Sequence, residues 1–265
     1  MLNMCGRFQG RKQILNGDRS KYIRRIGGNF MRSAIENRVS RRKFEEEMIT
    51  NWEKEKIILL INQLNEASGL TMEFMEDGSG AFQKLRKSYG LFTNVHSLIL
   101  MKGKKDDKNL KEKVGYYGED LVFAVSGLGL GTCWVGGTFD KDELTVNDSE
   151  ELACVVVVGK VAVPSLTEKI MRSATHRKVK SMEERIISNQ PLPQWVQNGM
   201  KAVLLAPSAK NTQKAIFKYE NNILSAQIAD DYAMDMIDLG IAKKHFEVEA
   251  GGKFELGNGG AFHLK

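Results

Sequence analysis

Apolar and polar positions alternate in a way that predicts helices and strands along almost the whole chain. A short helix is expected over 31–37. Over 51–67, Ile57, Ile58, Leu60, Ile61 and Leu64 fall on one face of a 3.6-residue period, predicting an amphipathic helix that Ser68-Gly69 ends. Leu70–Met75 reads as a strand, Gly78–Gly80 as a turn, 81–88 as a short basic helix and Val95–Met101 as a buried strand, with 102–107 a charged loop. The strongest helical stripe is Leu110, Val114, Tyr117, Leu121, Val125 and Leu128, within a helix over 108–128. It runs into Gly129-Leu130-Gly131-Thr132-Cys133-Trp134-Val135-Gly136-Gly137. Four glycines in nine residues either let the backbone approach a ligand or make a tight helix-to-strand turn. Leu152–Gly159 is apolar at nearly every position, as in a strand covered on both faces. Residues 160–180 form a basic loop.

After Pro191 and Pro193 the pattern restarts. A helix is expected over 195–205, then Ala206-Pro207-Ser208-Ala209-Lys210-Asn211-Thr212-Gln213, then strands 215–219 and 223–228 about an Asn221-Asn222 turn. A last helix spans 232–248, with Met234, Ile237, Ile241 and His245 inward, and stops at Gly251-Gly252; Gly-rich 257–260 reads as a loop or fraying tail. Helix, strand, long helix and glycine pair thus occur twice, as in a duplicated unit whose halves have diverged. The expected division is a leader, 1–30, a first half, 31–180, and a shorter second half, 181–265, packed on the first.

The polar equipment of the two halves differs. Only the first half opens with Arg38-Val39-Ser40-Arg41-Arg42-Lys43-Phe44. In an extended segment alternate residues face one way, so Arg38, Ser40 and Arg42 could converge on an anion such as a phosphate. The alternative is a solvated basic run with Ser40 capping the next helix. Only the second half carries P-S-x-x-N-x-Q after its first helix.

Charge adds one fact. The net charge of +6 lies entirely in residues 1–30, which hold seven basic residues and one acid, so the body is neutral and lacks the footprint of a phosphate-backbone binder. No nucleic-acid partner is expected. The leader has no apolar core of a secretory signal; it could be a transit peptide or a nucleic-acid arm. A third reading starts the natural protein at Met31, because the codons for Ile26-Gly27-Gly28 can spell a ribosome-binding site just upstream. No apolar run approaches the roughly 18 residues needed to span a bilayer. Cys5, Cys133 and Cys154 form no C-x-x-C pair, pointing to a reducing, cytoplasmic setting. The four histidines share no ligand spacing, and Gly127–Gly131 follows a helix rather than a strand, so neither a metal site nor a Rossmann nucleotide site is expected.

With these motifs in place, the chain resembles the nitroreductase family of FMN-dependent oxidoreductases over roughly 31–252. The resemblance implies an α+β fold, mostly antiparallel sheets flanked by helices. It implies that Arg38, Ser40 and Arg42 hold the FMN phosphate, and that Ser208 and Asn211 reach the flavin from the other half. It further implies that Trp134, Val135, Gly136 and Gly137 lie along the isoalloxazine ring and that Arg177 and Lys178 supply the family's second basic pair. Members of the family commonly carry both polar motifs near the N-terminus and build FMN sites across a homodimer. Here the motifs sit in opposite halves of one chain, which implies a pseudo-dimer with one FMN per chain and a monomer that completes its own site. The implied activity is ping-pong hydride transfer from NADH or NADPH through flavin N5 to a small-molecule acceptor, such as a nitro compound or quinone. The alternative is a flavin-binding protein without turnover.

Overall fold

The structure is a computed structural model and describes residues 28–83, 92–161 and 179–265. Helix α1 (Gly28–Asn37) leads to an extended segment and then helix α2 (Asn51–Ser68). Thr50 caps α2: its hydroxyl accepts the Glu53 N–H while the Glu53 carboxylate accepts the Thr50 N–H. Gly69, at φ 74°, ends the helix in the left-handed conformation that glycine adopts without strain. Strand β1 (Glu73–Met75), a four-residue helix α3 (Gly80–Gln83) and strand β2 (Ser97–Lys104) follow; the rest of the basic helix expected at 81–88 lies outside the described residues.

Helix α4 (Leu110–Gly127), strand β3 (Gly131–Val135) and strand β4 (Glu150–Gly159) complete an antiparallel sheet of order β1-β2-β4-β3. The apolar run of β4 has its expected cause. Cys154, Val156 and Val158 face a core built with α2 and α4, while Val155 and Val157 face a second core containing Phe44, Phe82 and Phe139. Two expectations need correction. The charged stretch 102–107 is not all loop, because β2 continues to Lys104. Lys102 is buried there, its ammonium 2.9 Å from Glu150 and 3.0 Å from Glu73, and this pairing lets a charge sit in a strand. Likewise 129–137 is not all loop, since its middle is β3, paired with β4 from Gly131 to Val135.

The C-terminal part builds its own core. Strand β5 (Ile186–Ser188), helix α5 (Gln194–Val203), the hairpin of β6 (Ile216–Glu220) and β7 (Ile223–Gln227), and helix α6 (Asp235–Ala250) enclose Val196, Phe217, Leu224 and Phe246. Asn221 and Asn222, at φ 52° and 62°, form the turn that a two-residue hairpin favours. Residues 257–260 are no fraying tail: they lead into β9 (Phe262–Leu264), which pairs with β8 (Gly252–Phe254).

Helices α4 and α6 cross at the centre of the molecule. A Cβ on Gly115 would lie 2.0 Å from the Ile237 carbonyl oxygen, and one on Gly240 2.1 Å from that of Glu112. Each carbonyl belongs to the residue three positions before its own helix's glycine, so the two contacts mirror one another. Ile237 and Ile241 of α6 enter the core built with α2 and α4, while Leu239, Ala242 and Phe246 enter the C-terminal core. Lys243 of α6 is fully buried and satisfied by the Glu112 carboxylate at 2.6 Å and the carbonyls of Gly257 and Glu255 at 2.8 and 3.0 Å.

Candidate functional site

The extended segment 38–44 is held as a strand-like edge. Ser40 bridges Thr132 and Lys43 bridges Thr93, both in parallel; the Arg41 N–H donates to the Thr132 carbonyl at 2.8 Å, and the Thr93 N–H to that of Arg42 at 2.9 Å. Phe44 anchors the end in the core. Ser40 therefore caps no helix; Thr50 does that work. Alternation brings Ser40 and Arg42 to one pocket of about 280 Å³.

Arg38 breaks the alternation because its backbone still belongs to the end of α1, its N–H donating to the Ala34 carbonyl at 2.8 Å. Its side chain is only 9% exposed and lies 3.9 Å from Glu119, with one guanidinium nitrogen donating to the Ser40 hydroxyl at 3.4 Å. It lines a separate hollow of about 400 Å³ with Asn37, Arg41 and Gly131.

The far wall of the 280 Å³ pocket is Trp134, Val135, Gly136 and Gly137, with Cys133 and Cys154 behind. A Cβ on Gly136 would lie 2.4 Å from the Met234 sulfur, so a larger residue there would have to displace the Met234 side chain. At Gly137 a Cβ would meet nothing within 4 Å. The second part of the chain closes the pocket with Pro207, Ser208, Ala209 and Lys210 and with the Met234, Ile237, Asp238 and Ile241 face of α6. The turn that carries Ser208 is strained: Lys210, Asn211 and Gln213 all have φ between 50° and 58°. It is held by the Gln213 N–H donating to the Ser208 hydroxyl at 3.0 Å and by Lys180, whose N–H donates to the Gln213 side-chain oxygen at 3.0 Å. Asn211 ends this turn and does not line the pocket. Arg177 and Lys178 lie outside the described residues.

Two acids missed in the sequence shape this site. Glu119 is fully buried. It accepts the Trp134 indole N–H at 2.8 Å on one oxygen and faces His245 Nε2 at 2.9 Å on the other. The other His245 nitrogen lies 3.1 Å from the Ala202 carbonyl. Both ring nitrogens of His245 therefore face oxygen acceptors. Glu119 thus ties Trp134 in one wall of the pocket to the Arg38–Ser40 segment in another. Asp238 is 5% exposed and receives the Ala209 N–H on both oxygens, at 2.9 and 3.1 Å. Burial pushes its carboxyl up to about 7. Nearby Arg185 is also buried, which lowers its guanidinium to about 10. Asp238 had a sequence signal, an acid on the inward stripe Met234, Asp238, Ile241. Glu119 had none, because it lies off the apolar stripe of α4. Among the described residues no cluster of His, Cys, Asp or Glu is arranged to hold a metal ion, and no helix is long and apolar enough to cross a membrane.

Comparison with known proteins fixes the class. The family described as "Putative TM nitroreductase" matches residues 31–250. The chain belongs to this nitroreductase family. Among solved structures, a "putative nitroreductase" from Thermotoga maritima MSB8 is similar at 20% identity and a TM-score of 0.58, covering 88% of this chain and 91% of that one. The α+β nitroreductase fold is thereby established. A nitroreductase family protein from Clostridium difficile 630 is similar at 16% identity and a TM-score of 0.43, covering 62% of this chain and 98% of that one. A nitroreductase with bound FMN from Desulfitobacterium hafniense DCB-2 is similar at 15% identity and a TM-score of 0.43, covering 52% and 92%. No curated protein matches the sequence.

Proposed function

We propose that the protein is an FMN-dependent oxidoreductase that takes electrons from NADH or NADPH and passes them to a small oxidised acceptor, such as a nitro compound or quinone. One observation carries the reading: a single pocket gathers Ser40 and Arg42, the Trp134–Gly137 wall, and Ser208 with its turn. Bound FMN would supply the ring that accepts and donates a hydride. The residues present fit that group. Arg42 and Ser40 offer donors to an anionic or carbonyl oxygen at one end. The open space at Gly137 leaves room for a flat ring beside backbone N–H groups. Cys154 stays a neutral thiol, because burial raises its pKa. Arg38 would act through Ser40, and Asn211, Arg177 and Lys178 are proposed as outer contacts.

We also read the chain as two tandem halves, 31–180 and 181–265, that stand in for a homodimer. The mirrored Gly115 and Gly240 contacts supply the support, since a two-fold axis between α4 and α6 generates such a reciprocal pair. On this reading a monomer binds one FMN.

Titration of the purified chain with FMN, followed by visible absorbance, tests both statements. Saturation near one flavin per chain and bleaching by NADH or NADPH are expected. A flavin that binds but is reduced by neither would make the protein a non-catalytic flavin binder, and no binding would remove the flavin reading. Arg42→Ala should weaken FMN binding by roughly 10- to 150-fold, the equivalent of about 1.5–3 kcal/mol for a lost charge-assisted hydrogen bond. An unchanged dissociation constant would detach Arg42 from the ligand.

A further inference from the structure

A reduced acceptor needs a proton as well as a hydride. The described lining of the 280 Å³ pocket contains one carboxyl, Asp238. It projects from the same face of α6 as Met234, Ile237 and Ile241, which line the pocket beside it. Its hydrogen bonds come from one donor, the Ala209 N–H, shared between its two oxygens. A carboxyl so placed keeps its turn in position with one oxygen and can carry a proton on the other.

The charged groups around Asp238 leave it unpaired. Lys214, from the segment leading into β6, is held by Asp231 and, at 3.0 Å, by Asp235. Asp235, one turn earlier on α6, adds negative charge and so favours the protonated form of its neighbour. Arg185, ahead of β5, donates its Nε–H to the Ala215 carbonyl at 2.9 Å, and its buried Nη1 has no hydrogen-bond partner. The Lys210 ammonium, in the turn itself, lies 4.6 Å from the centre of the Tyr232 ring. Cys154 of β4 is a buried neutral thiol. Among the described residues no cation forms an ion pair with Asp238; burial is the dominant push toward the neutral acid, and it outweighs the Ala209 N–H and the more distant attraction of Lys214 and Arg185, which favour the carboxylate.

We propose that Asp238 is the proton donor for reduction of the acceptor. The proposal rests on the flavin reading above. Bound FMN, reduced by NADH or NADPH, would supply a hydride, two electrons and one proton, to an acceptor such as a quinone. The second proton leaves Asp238 as its O–H bond breaks and the O–H bond of the hydroquinone forms. The Asp238 carboxylate then recovers a proton from water. A carboxyl that is still protonated near neutral pH matches this demand, because a general acid works best with a pKa near the working pH.

The test compares the whole chain as wild type, Asp238→Asn and Asp238→Glu. An Asn oxygen can still accept the Ala209 N–H, so FMN binding should change by less than about threefold. NADH-reduced protein is then mixed rapidly with a 1,4-naphthoquinone across pH. Wild type should slow as pH rises past about 7, Asp238→Glu should keep an alkaline fall, and Asp238→Asn should be about 100-fold slower without that fall. The protonation state has a readout that needs no flavin. The folded chain holds a proton on Asp238 that the unfolded chain, with a carboxyl near 3.8, has lost, so wild-type stability should fall between about pH 4 and 7. The melting temperature of wild type relative to Asp238→Asn should therefore drop across that window. An Asp238→Asn rate within about threefold of wild type, an unchanged alkaline fall, or slowing shared equally by both variants would overturn the proposal. A wild-type chain that binds no FMN would instead overturn the flavin reading, and the assignment with it.

Discussion

Gly240→Ala is expected to lower the melting temperature by roughly 6–12 °C, the equivalent of about 3 kcal/mol in a chain of this size. Alanine in place of glycine inside a helix ordinarily stabilises by up to about 1 kcal/mol. Here the sign reverses, because the added Cβ would sit 2.1 Å from the Glu112 carbonyl oxygen, and a backbone atom cannot rotate away. Helices α4 and α6 would have to separate, loosening Ile237 and Ile241 in one core and Leu239 and Phe246 in the other. Gly115→Ala should behave alike through Ile237. Because the two sites share one crossing, the double variant should cost less than the sum of the single ones. Thermal melts that leave either variant at the wild-type midpoint would show that the helices do not meet backbone to backbone.

Glu119→Ala should be comparably severe, by about 3–5 kcal/mol, since removing one partner of a buried charged pair leaves the others uncompensated. His245, Arg38 and the Trp134 indole N–H would all lose the same carboxylate. Glu119→Gln keeps an oxygen for one donor and should cost clearly less. Denaturant unfolding gives the magnitudes, and Trp134 fluorescence reports whether the indole has let go. Equal costs for the two variants would mean that the oxygen glutamine retains contributes nothing and that the lost charge carries the whole effect.

The legible parts of this fold were those in which local pattern and final environment agree. The stripe of α4, the apolar run of β4 and the Asn221-Asn222 turn each carry their reason in their own residues. The misread parts depend on partners distant in sequence. Lys102 looks like loop until Glu150 and Glu73 are brought beside it. Gly131–Val135 looks like part of a glycine loop until β4 supplies a neighbour. Ile186–Ser188 is too short to show a period, and its strand exists because β6 lies alongside. At the candidate site, alternation brought Ser40 and Arg42 together, but not Arg38, whose backbone is still completing α1. Glu119 was invisible because α6 covers a second face of α4 that periodicity alone assigns to solvent.

The pocket between Ser40 and Ser208 is lined by one continuous polypeptide. A ligand site shared by two separate subunits empties as protein is diluted, because occupancy then depends on the subunit dissociation constant as well as the ligand's. Covalent continuity replaces that second equilibrium with a fixed local concentration of one wall around the other. On the proposed reading of a monomer that completes its own flavin site, flavin occupancy should follow flavin concentration alone, even at protein levels where a weakly associating dimer would fall apart. A cell could keep such a protein at very low copy number without losing the site.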